Sequence, residues 1–147
     1  MILTLAALAM LAQPAPPKAP LAKAPVWKFV ALDGPLFTFY VPADRVDDKQ
    51  VYAEIVRYIF DRIGDQGPFQ ADFFDDESKT PTSHVYNDEN RAHHRARFNF
   101  NPVNGMKRFL WIRPNPANPK GRRIATEDTL PLDGGDAKGK DKGKDGQ

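Results

Sequence analysis

Four side chains in the middle of the sequence are the candidates for metal or acid–base chemistry. Carboxylates and imidazoles are common ligands of zinc and other divalent cations, and paired carboxylates can also transfer protons. Two of the acids follow predicted strands, at the sheet edge where ligands of α/β proteins usually bind. The candidates are Asp44, Asp75, Asp76 and His84. A metal-dependent hydrolase centred on Asp75, Asp76 and His84 is therefore one functional hypothesis.

The spacing of these residues matches no motif for metal binding or nucleophilic catalysis. There is no HExxH-type pattern and no glycine-rich phosphate loop. The neighbouring His93 and His94 would point to opposite faces of a strand. Acids at strand ends are usually loop residues that face water, and solvated surface histidines are the simpler interpretation. The sequence thus favours no metal site, no cofactor and no catalytic residue, and it ranks the hydrolase third.

Basic side chains are concentrated late in the chain. From Arg91 to Arg123 there are nine Lys and Arg residues and no acid, whereas residues 26–90 hold six basic and thirteen acidic residues. Such a block predicts an electropositive surface that attracts polyanions, including nucleic acid. No helix-turn-helix or zinc-finger pattern accompanies it. The alternative is that the basic strands lie beside acidic ones and the two neutralise each other.

A face that mixes arginines with aliphatic side chains is the candidate binding surface. If Asn104 and Gly105 form a two-residue hairpin turn, Arg97 lies opposite Ile112 and shares its face. This composition is typical of a binding patch. The alternative is that residues 114–132 fold over the same face. The candidate binding residues are Arg95, Arg97, Arg108, Leu110 and Ile112.

One amphipathic helix is predicted over about residues 48–63. Asp47 is the predicted N-cap, with Gln50 three residues later completing a capping box. Gly64 stands where a left-handed residue ends a helix. Apolar residues recur at the three- and four-residue spacing of a single buried stripe. The stripe consists of Tyr52, Ile55, Val56, Ile59 and Ile63.

Strands are predicted on both sides of that helix. VWKFVAL and LFTFYVP flank the turn sequence DGP and predict a hairpin, and FQADFF alternates like a half-buried strand. Residues 36–41 and 69–74 should then pair in parallel through a right-handed crossover. HHRARFNFN and MKRFLWIR predict a second hairpin, although DENRAHHRAR also permits a short helix with Asp88 as its N-cap.

These elements predict an α+β fold in two layers. The helix covers one face of a four- to five-stranded mixed sheet within residues 26–113, and the other face stays open. Residues 114–132 form a proline-rich extension that could dock on this domain.

The two ends differ from the middle in composition. Residues 1–13 resemble a signal segment, although no Lys or Arg precedes the apolar run, and residues 14–25 form a proline-rich spacer. Residues 133–147 hold four Asp, four Lys and no large apolar residue, which predicts a disordered tail. No apolar run is long enough for a transmembrane anchor. With no cysteine, disulfides and thiolate metal sites are excluded.

The leading functional hypothesis is a small exported binding or interaction module without enzymatic activity. Its location would be extracytoplasmic, periplasmic or secreted, with the cytoplasm as the alternative. Its partner would be an unidentified protein or an anionic ligand. The second hypothesis is a polyanion or nucleic-acid binder that uses residues 91–123.

Overall fold

A six-stranded mixed sheet and one long helix make up the part of the chain, residues 23–133, that this computed structural model describes. The signal segment 1–13, most of the spacer 14–25 and nearly all of the tail 133–147 lie outside these residues. The strands are β1 Lys28–Asp33, β2 Leu36–Tyr40, β3 Phe69–Phe74, β4 His94–Asn101, β5 Met106–Arg113 and β6 Ile124–Asp128. The helices are α1 Lys49–Ile63 and α2 Asp88–His93, with short 3-10 turns at Ala43–Arg45 and Glu77–Lys79.

The strands lie in the sheet in the same order as in the chain. β2 and β3 are parallel and are joined through α1, and every other neighbouring pair is antiparallel. The predicted α+β class, first hairpin and parallel crossover are therefore confirmed. The predicted number of strands is wrong, because residues 124–128 add a sixth strand beside β5. That segment, IATED, has only one large aliphatic residue and thus gives no alternating pattern.

Helix α1 covers one face of the sheet, as its apolar stripe predicts. Its N-cap is Asp48 rather than Asp47: Asp48 has an extended backbone, and its carboxylate accepts a hydrogen bond from the Gln50 amide. Gly64 ends the helix with a φ of 66°. Ile63 is 42% exposed and does not belong to the buried stripe. The buried predicted members are Tyr52, Ile55, Val56 and Ile59.

The second hairpin has a register two residues away from the predicted one. Arg97 pairs with Leu110 instead of Ile112, and residues 102–105 form a four-residue loop. A two-residue type I′ turn needs positive φ at both Asn104 and Gly105. Only Gly105 has it, at 68°, because no described residue other than glycine has a positive φ. A shift of two residues keeps each side chain on its predicted face.

The second face of the sheet is partly covered, contrary to the prediction that it stays open. The segment of residues 75–93 crosses it: Thr38 donates a hydrogen bond to the Pro81 carbonyl at 2.9 Å, and Tyr86 packs edge-on against Phe74. This segment also contains α2, which a capping box between Asn87 and Asn90 begins. The prediction that preferred a strand from residue 93 is thus correct only from His94 onward. β3 is consequently buried on both faces.

Aromatic side chains fill the space between the sheet and α1. Phe73 of β3 and Tyr52 of α1 are fully buried, with ring centroids 4.9 Å apart. Because aromatic side chains fill the helix side, the polar side chains of the sheet lie on its other face.

Within residues 23–133, no helix is both long and apolar enough to cross a membrane.

Candidate functional site

A fully buried carboxylate lies at the centre of that other face. Asp72 of β3 lies directly opposite Arg97 of β4, and its two oxygens accept hydrogen bonds from Arg97 Nε at 2.6 Å and Nη2 at 2.9 Å. The Tyr86 hydroxyl donates to Asp72 Oδ2 at 2.5 Å, and Gln70 Nε2 donates to the same oxygen at 3.1 Å. His94 Nε2 lies 3.4 Å from Oδ1. The buried negative charge of Asp72 is therefore paired with a positive charge, and both of its oxygens accept hydrogen bonds.

The electrostatics of this cluster keep Asp72 ionised. Burial alone would raise the pKa of Asp72, but hydrogen bonds from His94 and Arg97 hold it well below its ordinary value. Burial and the adjacent carboxylate raise the pKa of the Tyr86 hydroxyl, so Tyr86 stays protonated and donates. Burial alone would lower the pKa of Arg97, yet contact with Asp72 raises it. The cluster is thus an Asp72–Arg97 ion pair whose carboxylate also accepts hydrogen bonds from Tyr86 and Gln70.

A cleft of about 480 Å³ opens beside this cluster. Arg97 is 32% exposed at its side chain, and no residue of the described range accepts a hydrogen bond from its Nη1. The remaining guanidinium edge is therefore available to a ligand. The lining residues are Asp33, Gly34, Pro35, Leu36, Gln70, His84, Tyr86, Arg91 and Arg97, and we call this the Arg97 cleft.

The local sequence explains how these side chains reach the cleft. On β3, Gln70 and Asp72 alternate with apolar residues that face α1, which places both on the opposite face. The β1–β2 turn, with Gly34 at a φ of 59°, forms one wall. His84 is attached to that turn, since its backbone N–H and its Nδ1 lie 2.9 Å and 2.6 Å from Asp33 Oδ2.

The predicted binding residues share one face, but the acidic segments neutralise their charges. Each of the three arginines has a carboxylate partner on a neighbouring strand or on the loop that follows one. Leu110 and Ile112 are half-buried between them and β6. The structure thus places Arg97 at one cleft and Arg95 and Ile112 at a second, whereas Arg108 and Leu110 line neither. The ion pairs are Arg95–Asp75, Arg97–Asp72 and Arg108–Glu127.

The four candidate metal ligands do not converge. Asp75 binds His93 Nδ1 at 2.8 Å and also Arg95, and the Asp76 carboxylate accepts hydrogen bonds from Ser78. His84 pairs with Asp33 and Asp44 lies in the first 3-10 turn. Across residues 23–133 there is no group of three or more acids and histidines arranged to hold a metal ion.

One histidine departs from the expectation of a solvated surface position. His94 is only 6% exposed. Its ring stacks on Phe74, with centroids 4.9 Å apart, and its Nε2 lies 3.0 Å from the Ala96 carbonyl oxygen. Tyr86, in the segment of residues 75–93, contributes to this burial, since its ring centroid lies 5.9 Å from that of His94.

A second cleft of about 580 Å³ lies at the carboxyl ends of the parallel strands. Its charged lining is internally matched, since Asp75 pairs with Arg95 and Asp47 lies 3.3 Å from Arg113. Ile112 also lines it. The difference is that the charged residues of the second cleft pair within its lining, whereas Arg97 and Arg91 pair with Asp72 and Asp88, which do not line the Arg97 cleft.

Asp72, Gln70 and Tyr86 were missed as functional residues in the sequence. The sequence feature that could have revealed them is the aspartate in the largely apolar strand FQADFF. An acid in a buried strand needs a charged partner, so Asp72 predicts a basic residue on a neighbouring strand. The alternating arginines of RARFN supply that partner.

Comparison with known proteins adds no assignment: no protein-family model, no curated protein and no solved structure matches this chain.

Proposed function

We propose that the chain is a non-enzymatic binding module that holds a small anionic ligand, a carboxylate or a phosphate, in the Arg97 cleft. The main support for this proposal is the geometry of the Arg97 guanidinium. The buried Asp72 carboxylate fixes one of its edges, and its other edge faces the cleft. An arginine held in this way loses little conformational freedom when it binds an anion, and its planar fork suits carboxylate and phosphate geometry.

The charge of the cleft lining supports an anionic ligand. Two arginines, Arg91 and Arg97, and one carboxylate, that of Asp33, line the cleft, while the Asp72 partner of Arg97 is fully buried and does not line it. Asp33 is already engaged by His84, whose hydrogen bonds lower its pKa. The Arg91 side chain is 63% exposed, and its one ion pair within residues 23–133 is a 3.3 Å contact to the fully exposed Asp88, which a ligand can replace.

The size and polar content of the cleft fit a small molecule better than a polymer. Ligand sites of about 300–1,000 Å³ with a few fixed polar groups are typical of small-molecule binding. A polyanion binder needs a continuous basic surface. Here the basic residues of the sheet are paired with Asp72, Asp75 and Glu127.

Export completes the proposal. The apolar start of the sequence favours an extracytoplasmic location for the binding module, and sequencing the amino terminus of native material tests it. A mature chain that begins between Ala9 and Pro25 supports export, whereas an intact Met1 in a cytoplasmic fraction contradicts it.

The binding proposal is tested by titrating the isotope-labelled full chain separately with inorganic phosphate and with citrate. We expect saturable amide shifts at Gln70, Tyr86 and Arg91 for at least one probe, and comparison of the two probes distinguishes phosphate from carboxylate recognition. Arg91→Gln should weaken binding by about tenfold, equivalent to about 1.4 kcal/mol.

The matched control is Arg108→Gln, which removes an exposed arginine from the same sheet face outside the cleft. It should leave the affinity unchanged. Equal weakening by both variants would indicate nonspecific attraction by net charge and would contradict the site. Absence of saturable shifts with both probes would do the same.

A further inference from the structure

Strand β1 forms one edge of the described sheet and carries exposed apolar side chains. Phe29 is 46% exposed and Leu32 is 53% exposed. Both lie on the side of α1, because they pair with the helix-facing residues Phe39 and Phe37 of β2. An unpaired strand with exposed apolar residues is a template for pairing with another strand.

A β-bulge determines which side chains of β1 share a face. The register shifts between Phe29 and Ala31, so that Phe29 and Val30 occupy one position opposite Phe39. Phe29 and Leu32 consequently share the helix side, whereas the charged ends of the strand, Lys28 and Asp33, share the opposite side. Because Phe29 and Val30 count as one position, the six residues of β1 occupy five positions along the strand, and Ala31 is the middle one.

We propose that this edge pairs with the same edge of a second copy of the chain, antiparallel and about a two-fold axis at Ala31. In that arrangement Phe29 of each copy lies opposite Leu32 of the other, which covers both apolar side chains. A two-fold interface requires a surface that is complementary to itself. β1 meets this requirement because its halves are apolar on one face and oppositely charged on the other.

Charge complementarity is the observation that selects a second copy as the occupant. Antiparallel pairing about Ala31 places Lys28 opposite Asp33 of the second copy, and the symmetry repeats this pair. Each of the two residues already has an opposite or titratable partner within its own chain, Glu77 for Lys28 and His84 for Asp33. Pairing Lys28 with Asp33 of the second copy gives each residue an additional neighbour of opposite charge, which favours this register.

The first test measures the mass of the full chain by sedimentation equilibrium over about 1–500 µM, because a self-associating system must respond to concentration. We expect a monomer–dimer equilibrium. Lys28→Glu should weaken dimerisation by about tenfold, since it turns two opposite-charge pairs into two like-charge pairs. The double variant Lys28→Glu with Asp33→Lys should restore the affinity, an outcome that a general loss of stability cannot produce.

Leu32→Glu tests the apolar contact between Leu32 of one copy and Phe29 of the other, and Val103→Glu is its matched control. Leu32→Glu should yield a monomer with an unchanged fold, as checked by circular dichroism. Val103 is 91% exposed at the other hairpin, so the same substitution there should leave dimerisation unchanged.

The second test uses the absence of cysteine in the sequence. An Ala31→Cys variant places two thiols on the proposed axis, where directly opposed residues of antiparallel strands have Cα atoms within disulfide range. Mild oxidation at a protein concentration where sedimentation shows the dimer should give a cross-linked dimer, whereas Val103→Cys under the same conditions should not. A monomer at every concentration, with no Ala31→Cys cross-link, would overturn the proposal.

Protection of the β1 amides in such a monomer would indicate that residues 1–22 of the same chain cover the edge instead. Phosphate and citrate binding is measured separately, so failure of dimerisation and failure of the Arg97 cleft are distinguishable.

Discussion

At the scale of single residues, Asp72 shows where sequence reasoning stops. Alternation along β3 correctly predicts that Gln70, Asp72 and Phe74 share a face. It also predicts that this face is wet, because nothing in the pattern of residues 75–93 shows that the segment returns over the sheet. Burial of Asp72 depends on this tertiary contact, which brings Tyr86 to its carboxylate. The sequence therefore shows that Asp72 needs a partner, but the pattern of the neighbouring residues does not show that it is buried.

Removing the charge of Asp72 should destabilise the fold strongly. In Asp72→Asn the partly exposed Arg97 guanidinium loses its charged partner, which should cost no more than about 3 kcal/mol, the lower end of the range for a fully buried pair. The lowered pKa gives a pH signature: Asp72 contributes its full stability above its ordinary pKa of 3.8, and that contribution falls as pH drops toward the folded-state value. Urea unfolding from about pH 2 to pH 7 should show a constant difference between the two proteins at neutral pH that narrows below pH 3.8. A constant difference at all pH values would contradict this assignment.

At the scale of elements, local patterns predicted the type of each element better than its boundaries. The stripe of α1 and the parallel pairing of β2 with β3 were correct because both depend on burial of one face. The helix start and the hairpin register were wrong because each depends on a choice between adjacent residues. Asp47 and Asp48 have the same capping side chain, and only the backbone conformation distinguishes them.

Matched alanine substitutions separate these contributions. Asp48→Ala should cost about 1 kcal/mol through the lost cap, and Asp47→Ala should cost less than about 0.5 kcal/mol because Asp47 makes only an exposed contact. Ile59→Ala should cost about 2–4 kcal/mol, since Ile59 is completely buried at the centre of the stripe. Chemical denaturation measures all three. Equal effects of the two aspartate variants would contradict the assigned N-cap.

At the scale of the whole molecule, the charge asymmetry of the sequence becomes local neutralisation. Acidic β3 and its following loop lie beside basic β4, and acidic β6 lies beside β5. The sequence does not decide this alternative, because the order of strands in the sheet determines which charges meet.

Strand β6 also connects the sheet to the helix: Asp128 accepts hydrogen bonds from Lys49 at 2.9 Å and from the Trp111 indole at 2.9 Å. These bonds lower the pKa of Asp128 to about 2.

The last prediction concerns where the cooperative unit ends. The sequence predicts a domain over residues 26–113 and an extension, residues 114–132, that could dock on it; in the structure Leu130 and Leu132 pack against the core and Arg57 donates to the Pro131 carbonyl at 3.2 Å. A chain that stops after Arg113 should therefore melt at least several degrees lower than the full chain and show red-shifted emission from Trp111, which loses Asp128. The control is a chain that stops after Asp133, which keeps every described contact and should melt with the full chain. If the shorter chain melted with the other two, β6 and the leucines after it would be an appendage rather than part of the folding unit.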